Sequence, residues 1–342
     1  MYSVGIGITD ECNYNCKHCY SRPRSDKFTR LNFNSLKKLC ESIKINSINF
    51  GTGESILHPD FKKMIKYIHK RGIKMSLTTN GLSINKLSDD KVKLFNDIDF
   101  SLDFPSKKDH DAFRRAGAFD NVINGIKKCK RLGVECSIVL VIMNSNYKEI
   151  PNMLSIAKEL GVNLRLNVYK PKYNKNLKLT YHQFWTAIKS LFDNSKIISC
   201  SEPVINALIK HECNDGGSPC GKHSLRIKPD GGIIPCVYWN KNDFVIKDLI
   251  TKQLEFNKSN EFRKARIIPS ECKDCELVEY CKGGCSARRL YNNINKKDEY
   301  CFIDKKWPKL NVEWATPKDL VHSGYLCTII VEPKGDFNNE RR

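Results

Sequence analysis

The sequence predicts an α/β protein, a partial (β/α)6 TIM-like barrel followed by a C-terminal cysteine-rich domain. Three observations lead there. Residues 1–199 alternate short apolar runs with amphipathic stretches six times over, with short connections, the pattern of a parallel sheet. After Cys200 the periodicity fades, and Cys, Gly and Pro punctuate irregular segments. The 342 residues include 16 cysteines in an otherwise ordinary composition, 40% apolar and 28% charged. Six units without a seventh and eighth leave the barrel open.

In chain order, residues 4–9 form an apolar strand, and 34–43 a helix with Leu36, Leu39, Cys40 and Ile43 on one face. Residues 47–50 are a strand, and 60–71 a helix with the stripe Phe61, Met64, Ile65 and Ile68. Strand 74–78 precedes helix 86–95, and strand 98–102 precedes helix 121–132, which buries Val122, Ile123, Ile126, Cys129 and Leu132 and stops at Gly133. Strand 136–143, helix 149–160, strand 164–169 and helix 180–192 complete the six units, with a polar loop at 172–178. These patterns divide the chain into a barrel at 1–199, a cysteine-rich domain at 200–305 and a tail at 306–342 with a strand at 325–332.

No apolar run approaches the ~20 residues of a membrane span, and residues 1–10 lack a basic segment leading into an apolar one. The chain is therefore expected in the cytoplasm, where thiols stay reduced and cysteines serve metals better than disulfides. Of the net charge of +20, residues 1–199 hold +16, from 34 basic and 18 acidic side chains. Solvated lysines account for this excess more readily than a dedicated anionic surface. No basic motif interleaved with aromatics points to nucleic acid.

Cys12, Cys16 and Cys19 stand as C-x3-C-x2-C directly after the first strand. Three thiolates cannot saturate a four-iron cluster, so one iron stays open for another molecule. A zinc site would want a fourth ligand, and His18 sits badly between two cysteines to provide it. In such sheets ligands bind at the carboxyl ends of the strands. This loop lies there, as does Gly51-Thr52-Gly53-Glu54 after the second strand.

These motifs resemble those of the radical S-adenosylmethionine (SAM) superfamily, whose loop reads C-x3-C-x-aromatic-C, with His18 here in the aromatic slot. The resemblance covers residues 1–170. It implies that Cys12, Cys16 and Cys19 hold a 4Fe–4S cluster whose fourth iron is chelated by SAM, and that Gly51, Thr52, Gly53 and Glu54 cradle the methionyl end. Thr52 and Ser55 stand where that motif has Gly and Pro. Thr78-Thr79-Asn80-Gly81 resembles the family's T-N-G turn, and Ser101 and Asp103 a segment near the SAM ribose, although Phe104 replaces a usual Gly. Asn146 resembles a polar position at the end of the fifth strand.

A second constellation comprises Cys220, Gly231 and Cys236, then Cys272-x2-Cys275-x5-Cys281-x3-Cys285, then Cys301. Seven cysteines so spaced fit a zinc ribbon poorly. They resemble the SPASM extension of radical SAM proteins. That resemblance implies two auxiliary 4Fe–4S clusters. The nearer would take Cys220, Cys236 and Cys285, with Cys213 placed to be its fourth ligand. The farther would take Cys272, Cys275, Cys281 and Cys301. Cys40, Cys129, Cys136 and Cys327 are expected in the apolar core. Val237 stands where sulfatase-maturing members carry an aspartate base, so that reaction is not expected. His223, Arg226, Tyr238 and Trp239 are expected to pack around the cluster.

Together these resemblances imply reductive cleavage of SAM with three 4Fe–4S clusters, and a net two-electron oxidation of a substrate. A ribosomally made peptide is the favoured class. A small molecule such as an amino sugar is the alternative, and a non-catalytic electron carrier the alternative of another kind. A flavodoxin or ferredoxin-type reductant is expected. Because the cluster loop begins at residue 12, leader recognition is expected to fall to a separate protein.

Overall fold

The computed structural model describes residues 1–21, 27–212, 220–251, 256–303, 305, 309–318, 320–321 and 327–335. Cys213, the start of the expected tail strand at 325–326 and the beginning of the tail at 306–308 lie outside the described residues.

Six parallel strands stand side by side in chain order: β1 (Tyr2–Ile6), β2 (Ile45–Phe50), β3 (Lys74–Thr79), β4 (Asp97–Ser101), β5 (Glu135–Ile142) and β6 (Asn163–Val168). Helices α1 (Phe33–Ser42), α2 (Phe61–Lys70), α3 (Leu82–Lys86), α4 (Asp89–Val92), α5 (Lys107–Phe113), α6 (Ala118–Leu132), α7 (Ile150–Leu160) and α8 (Tyr181–Asp193) join them and cover one face. The expected α/β partial barrel is present. The expected helix at 86–95 is confined to Asp89–Val92, because Leu87 and Ser88 are extended and separate it from α3, which ends at Lys86. The expected strand at 4–9 lies at Tyr2–Ile6, and residues 7–9 already belong to the loop.

The strands alternate in a way that sets the site. Ile48, Phe50, Ile98 and Phe100 are fully buried in the apolar core; Phe50 meets Phe61 of α2 edge-on at 5.3 Å. The opposite face is polar. Ser47, Asn49, Ser76, Asp97 and Asp99 line up there through the register Asn49↔Ser76↔Asp97. Ser3 and Ser47 share a hydrogen bond of 2.9 Å, Asn49 donates to Ser76 at 2.9 Å, and Arg165 reaches Asp99 at 3.2 Å. Burial raises the Asp99 carboxyl to about 7 against the opposing pull of Arg165.

The sheet continues beyond residue 199. β7 (Ser195–Cys200), which carried no sequence signal, is its last strand. β11 (Thr328–Pro333) runs antiparallel between β6 and β7, within the expected tail strand and sandwiched between two barrel-segment strands. At the other edge β8 (Ser224–Ile227) pairs parallel with β1, followed by β9 (Gly232–Ile234) and β10 (Phe244–Val245). Short helices α9 (Pro203–Leu208), α10 (Asp248–Thr251), α11 (Asn260–Ala265), α12 (Val278–Cys281) and α13 (Ser286–Tyr291) accompany them. Arg288 of α13, fully buried, donates to Glu202 at the start of α9 and to Asp298 at 2.7 Å, while Asp298 accepts from the Cys285 and Tyr300 N–H groups. Cys40, Cys129, Cys136 and Cys200 are buried in the main core. Among the described residues no helix is long and apolar enough to cross a membrane.

Three outcomes are expected. Gly125→Ala should gain about 1 kcal/mol of helix propensity but lose more. Its Cβ would stand 2.3 Å from the buried Phe100 ring, and overpacking costs about 1–3 kcal/mol; a lowered thermal midpoint checks this. Arg288→Met should cost about 3–5 kcal/mol in denaturant titration, because two buried carboxylates lose their partner. His110, whose Nδ1 accepts from the Asp103 N–H at 3.2 Å, is lowered to about 4 by burial and then by the Arg114 cation. Between pH 6.5 and 4 the unfolded chain takes a proton that the folded one refuses. Stability should therefore fall from pH 7 to 5 by on the order of 1–2 kcal/mol, and His110→Gln should flatten that slope.

Candidate active site

The carboxyl ends of the barrel strands open into a cavity of about 710 Å³. Its first wall is the loop after β1. The Tyr14 N–H donates to Cys12 Sγ at 3.4 Å, and the Cys19 N–H to the Cys16 carbonyl at 3.1 Å, which folds the loop so that all three thiols line the cavity. Burial pushes the Cys12 thiol up to about 12 and raises Cys16 against the pull of Arg114. Thiolates here therefore need a nearby positive partner.

Gly51, Thr52, Gly53 and Glu54 form the adjoining wall. Gly53 has a φ of +64°, and a Cβ on it would stand 2.5 Å from the Glu11 carbonyl and 2.6 Å from that of Thr9, so this turn packs directly on the cysteine loop. Gly7 leaves the room that Thr52 fills. Tyr20 ties the same two loops by donating to the Gly51 carbonyl at 2.5 Å. Glu54 is buried. Its carboxylate accepts from Thr79 Oγ1 at 2.6 Å, from the Asn80 N–H at 2.9 Å and from the Ser83 N–H at 3.1 Å, and also from the Ser83 hydroxyl. Burial raises its pKa and these donors oppose the rise. Glu54 is thus the brace between the turns that end β2 and β3.

Ser101 lines the cavity, whereas Asp103 is fully buried behind it. Arg114 Nε donates to Asp103 at 2.7 Å, and its Nη atoms approach His18 Nε2 at 3.3 Å and Cys16 Sγ at 3.9 Å. Burial alone would raise Asp103, but Arg114 and His18 hold it down at about 2. His18 stacks on Phe113 at 5.0 Å and is lowered to about 4 by burial. Asn146 is buried and clasps this turn from behind, donating to the Asp103 carbonyl at 3.0 Å. Arg114 carried no sequence signal; its place beside Cys16 is set only by the way α5 packs.

The opposite wall comes from the cysteine-rich segment. Cys220, Cys236 and Cys285 line the cavity. Cys327, expected in the apolar core, lies with them, because β11 begins at this rim. Arg226 and Tyr238 also line the cavity, with the Tyr238 ring 5.5 Å from that of Tyr20. Trp239 lines it too and donates to Glu261 at 2.7 Å, and His223 is exposed. Cys272, Cys275, Cys281 and Cys301 form a separate neighbourhood, within electrostatic reach of one another and off the cavity wall. Gly283, with a φ of +82°, fits between Pro269 and Cys272, where a Cβ would stand 2.4 Å from the proline ring and 3.7 Å from the cysteine sulfur. Among the described residues no group of three or more His, Cys, Asp or Glu side chains stands ready-made for a single metal ion. The case for clusters therefore rests on the number and placement of the thiols.

Residues 6–157 match the sequence model of the radical SAM superfamily. Over 335 residues the chain is 22% identical to the mycofactocin maturase MftC of Mycolicibacterium smegmatis, covering 91% of this chain and 85% of that protein. It is 24% identical to the antilisterial bacteriocin subtilosin biosynthesis protein AlbA of Bacillus subtilis, covering 86% and 69%. Among solved structures, anSMEcpe with bound AdoMet superposes with a TM-score of 0.66 at 20% identity, covering 88% of this chain and 94% of that one. Streptococcus suis SuiB bound to its precursor peptide SuiA gives 0.66 at 15%, covering 88% and 76%. The family match spans the strands that carry both cavity loops, and it identifies residues 6–157 as a radical SAM domain.

Proposed function

We propose that this chain is a radical SAM/SPASM enzyme that oxidises a ribosomally made peptide. The observation that carries the reading is a single cavity walled on one side by Cys12, Cys16 and Cys19 and on the other by cysteines of the second constellation. The donor set fits the cofactors. Three converging thiols suit an open-vertex 4Fe–4S cluster, and the Gly51–Glu54 turn beside them offers backbone groups to the amino-acid end of SAM. When bound there, cluster and SAM supply a 5′-deoxyadenosyl radical that abstracts hydrogen from the substrate.

The chain's own residues have separable tasks in this reading. Cys12, Cys16 and Cys19 hold the cluster. Gly51, Thr52 and Gly53 bind SAM, Glu54 fixes their turn, and Ser101 faces the nucleoside side. Asp103 acts through Arg114, which supplies positive charge beside Cys16. His18, neutral and stacked on Phe113, shields the loop from water. Residues 1–199 would form the SAM-cleaving barrel and 200–305 the auxiliary-cluster domain. Cys220, Cys236 and Cys285 would hold the nearer auxiliary cluster, and Cys272, Cys275, Cys281 and Cys301 the farther. Clusters held by these cysteines would supply an acceptor for the electron left on the substrate, which would make the net reaction a two-electron oxidation.

The peptide class is supported by MftC, AlbA and SuiB, whose names describe maturation, bacteriocin synthesis and a bound precursor peptide. A flavodoxin or ferredoxin-type reductant, a separate leader-recognition protein and a cytoplasmic location belong to the same proposal.

Anaerobic protein given SAM and dithionite should release 5′-deoxyadenosine and hold about twelve irons. Changing Cys12, Cys16 and Cys19 together to Ala should abolish release and leave about eight irons. Release that survives the triple change would refute the assignment.

A further inference from the structure

We propose that Cys327, from the tail strand, is the fourth protein ligand of the nearer auxiliary cluster, alongside Cys220, Cys236 and Cys285. The inference rests on the auxiliary-cluster reading above and deepens it.

The position of Cys327 follows from strand polarity. β11 is antiparallel to its neighbours, so its first residue lies where β6 and β7 end: Thr328 pairs with Asn167 and Ile329 with Cys200. Residue 327 therefore emerges at the carboxyl-end rim, where an all-parallel strand would have delivered its last residue. The backbone there is pinned. The Ser201 N–H donates to the Thr328 carbonyl at 2.9 Å, and Thr328 Oγ1 donates to the Leu166 carbonyl at 2.9 Å. Thr328 itself is buried. A side chain one residue from such anchors has little freedom to turn elsewhere.

The thiols gather. Cys327 and Cys236 each lie within electrostatic reach of Cys220 and Cys285, so the four form one neighbourhood. All four line the cavity. Ser286 donates to Cys220 Sγ at 3.2 Å from the start of α13, which holds that sulfur toward Cys285. The surroundings suit four thiolates. The buried Arg226 lies within electrostatic range of Cys220, Cys236 and Cys327, and Lys170 and Arg288 within range of Cys285. The chain makes room for that arginine, since a Cβ on Gly5 would stand 2.5 Å from Arg226 Cδ. A core cysteine needs neither two thiol neighbours nor a buried cation.

Ligation balances simply: four thiols lose four protons and bind four iron vertices, with no change of oxidation state. The nearer cluster then has no free iron. A substrate thiol cannot bind it, and the cluster serves only as an electron acceptor. Cys213 is not required for it.

The test uses full-length Cys12/Cys16/Cys19→Ala protein, purified without oxygen, so that only auxiliary iron remains. The parent should hold about eight irons. Adding Cys327→Ala should remove about one and produce a three-iron EPR signal on mild oxidation. Cys327→Ser should retain the iron with an altered EPR spectrum, and it decides the matter if the alanine variant does not fold. Cys213→Ala should match the parent. An unchanged iron count and spectrum for both Cys327 variants would overturn the ligand assignment while leaving the auxiliary clusters standing, as would the loss following Cys213→Ala instead. A parent that carries zinc or no iron would overturn the auxiliary-cluster reading and the ligand with it.

Discussion

Strand polarity is the constraint on which the rest of this molecule depends. Six parallel strands in chain order deliver six carboxyl ends to one rim, so every loop that follows a strand begins there. The cysteine loop after β1, the turns that end β2 and β3, and Ser101 at the end of β4 need no further device to meet. The polar inner face, with Asn49, Ser76 and Asp99, runs beneath that rim, while the apolar outer face holds the helices. One alternation, read on two faces, thus divides stability from chemistry.

Convergence alone does not fix geometry, and this chain fixes it with buried charge. Glu54 gathers hydrogen bonds from Thr79, Asn80 and Ser83, so the β2 and β3 turns behave as one piece. Asp103 and Arg114 do the same for the β4 end and α5, with the free side of the guanidinium turned to Cys16. Arg288 joins α9, α13 and the loop before Cys301 through Glu202 and Asp298. Each group is costly to bury alone and tolerable only with its partners in place. Such pairs penalise displacement of any loop they join.

Much of this was legible in the sequence, for physical reasons. Stripes such as Phe61, Met64, Ile65 and Ile68 identify a helix because burial imposes the 3.6-residue period. C-x3-C-x2-C after a strand identifies the first wall because loop position follows from strand direction. What stayed hidden was non-local. Nothing in the run 195–200 says that a strand from residue 328 will pair beside it. Arg114 looks like any basic residue after a helix until α5 packs. Cys327 begins a short apolar run of the kind that fills cores, and its membership of a thiol group depends on a neighbour 42 residues earlier in the chain, Cys285. The expected helix at 86–95 is shortened for a local reason, the extended Leu87–Ser88 step, which a hydrophobic count does not register.

The two walls of the cavity bear on the direction of the reaction. In the proposed reading, hydrogen is taken from the substrate beside Cys12, Cys16 and Cys19, and an electron must then leave before the product is released. The same space is bounded by Cys220, Cys236, Cys285 and Cys327, so the acceptor needs no separate approach to the substrate. Cys272, Cys275, Cys281 and Cys301 are off that wall and, in that reading, suit onward transfer rather than first uptake. Arg226 then acquires a second consequence. A fixed cation beside the nearer thiol group favours the more negative, reduced state of whatever cluster they hold, and so favours electron flow away from the substrate. Gly5, which leaves space for that arginine, lies in the first strand. The barrel therefore contributes to the electrostatics of the far wall as well as to the near one.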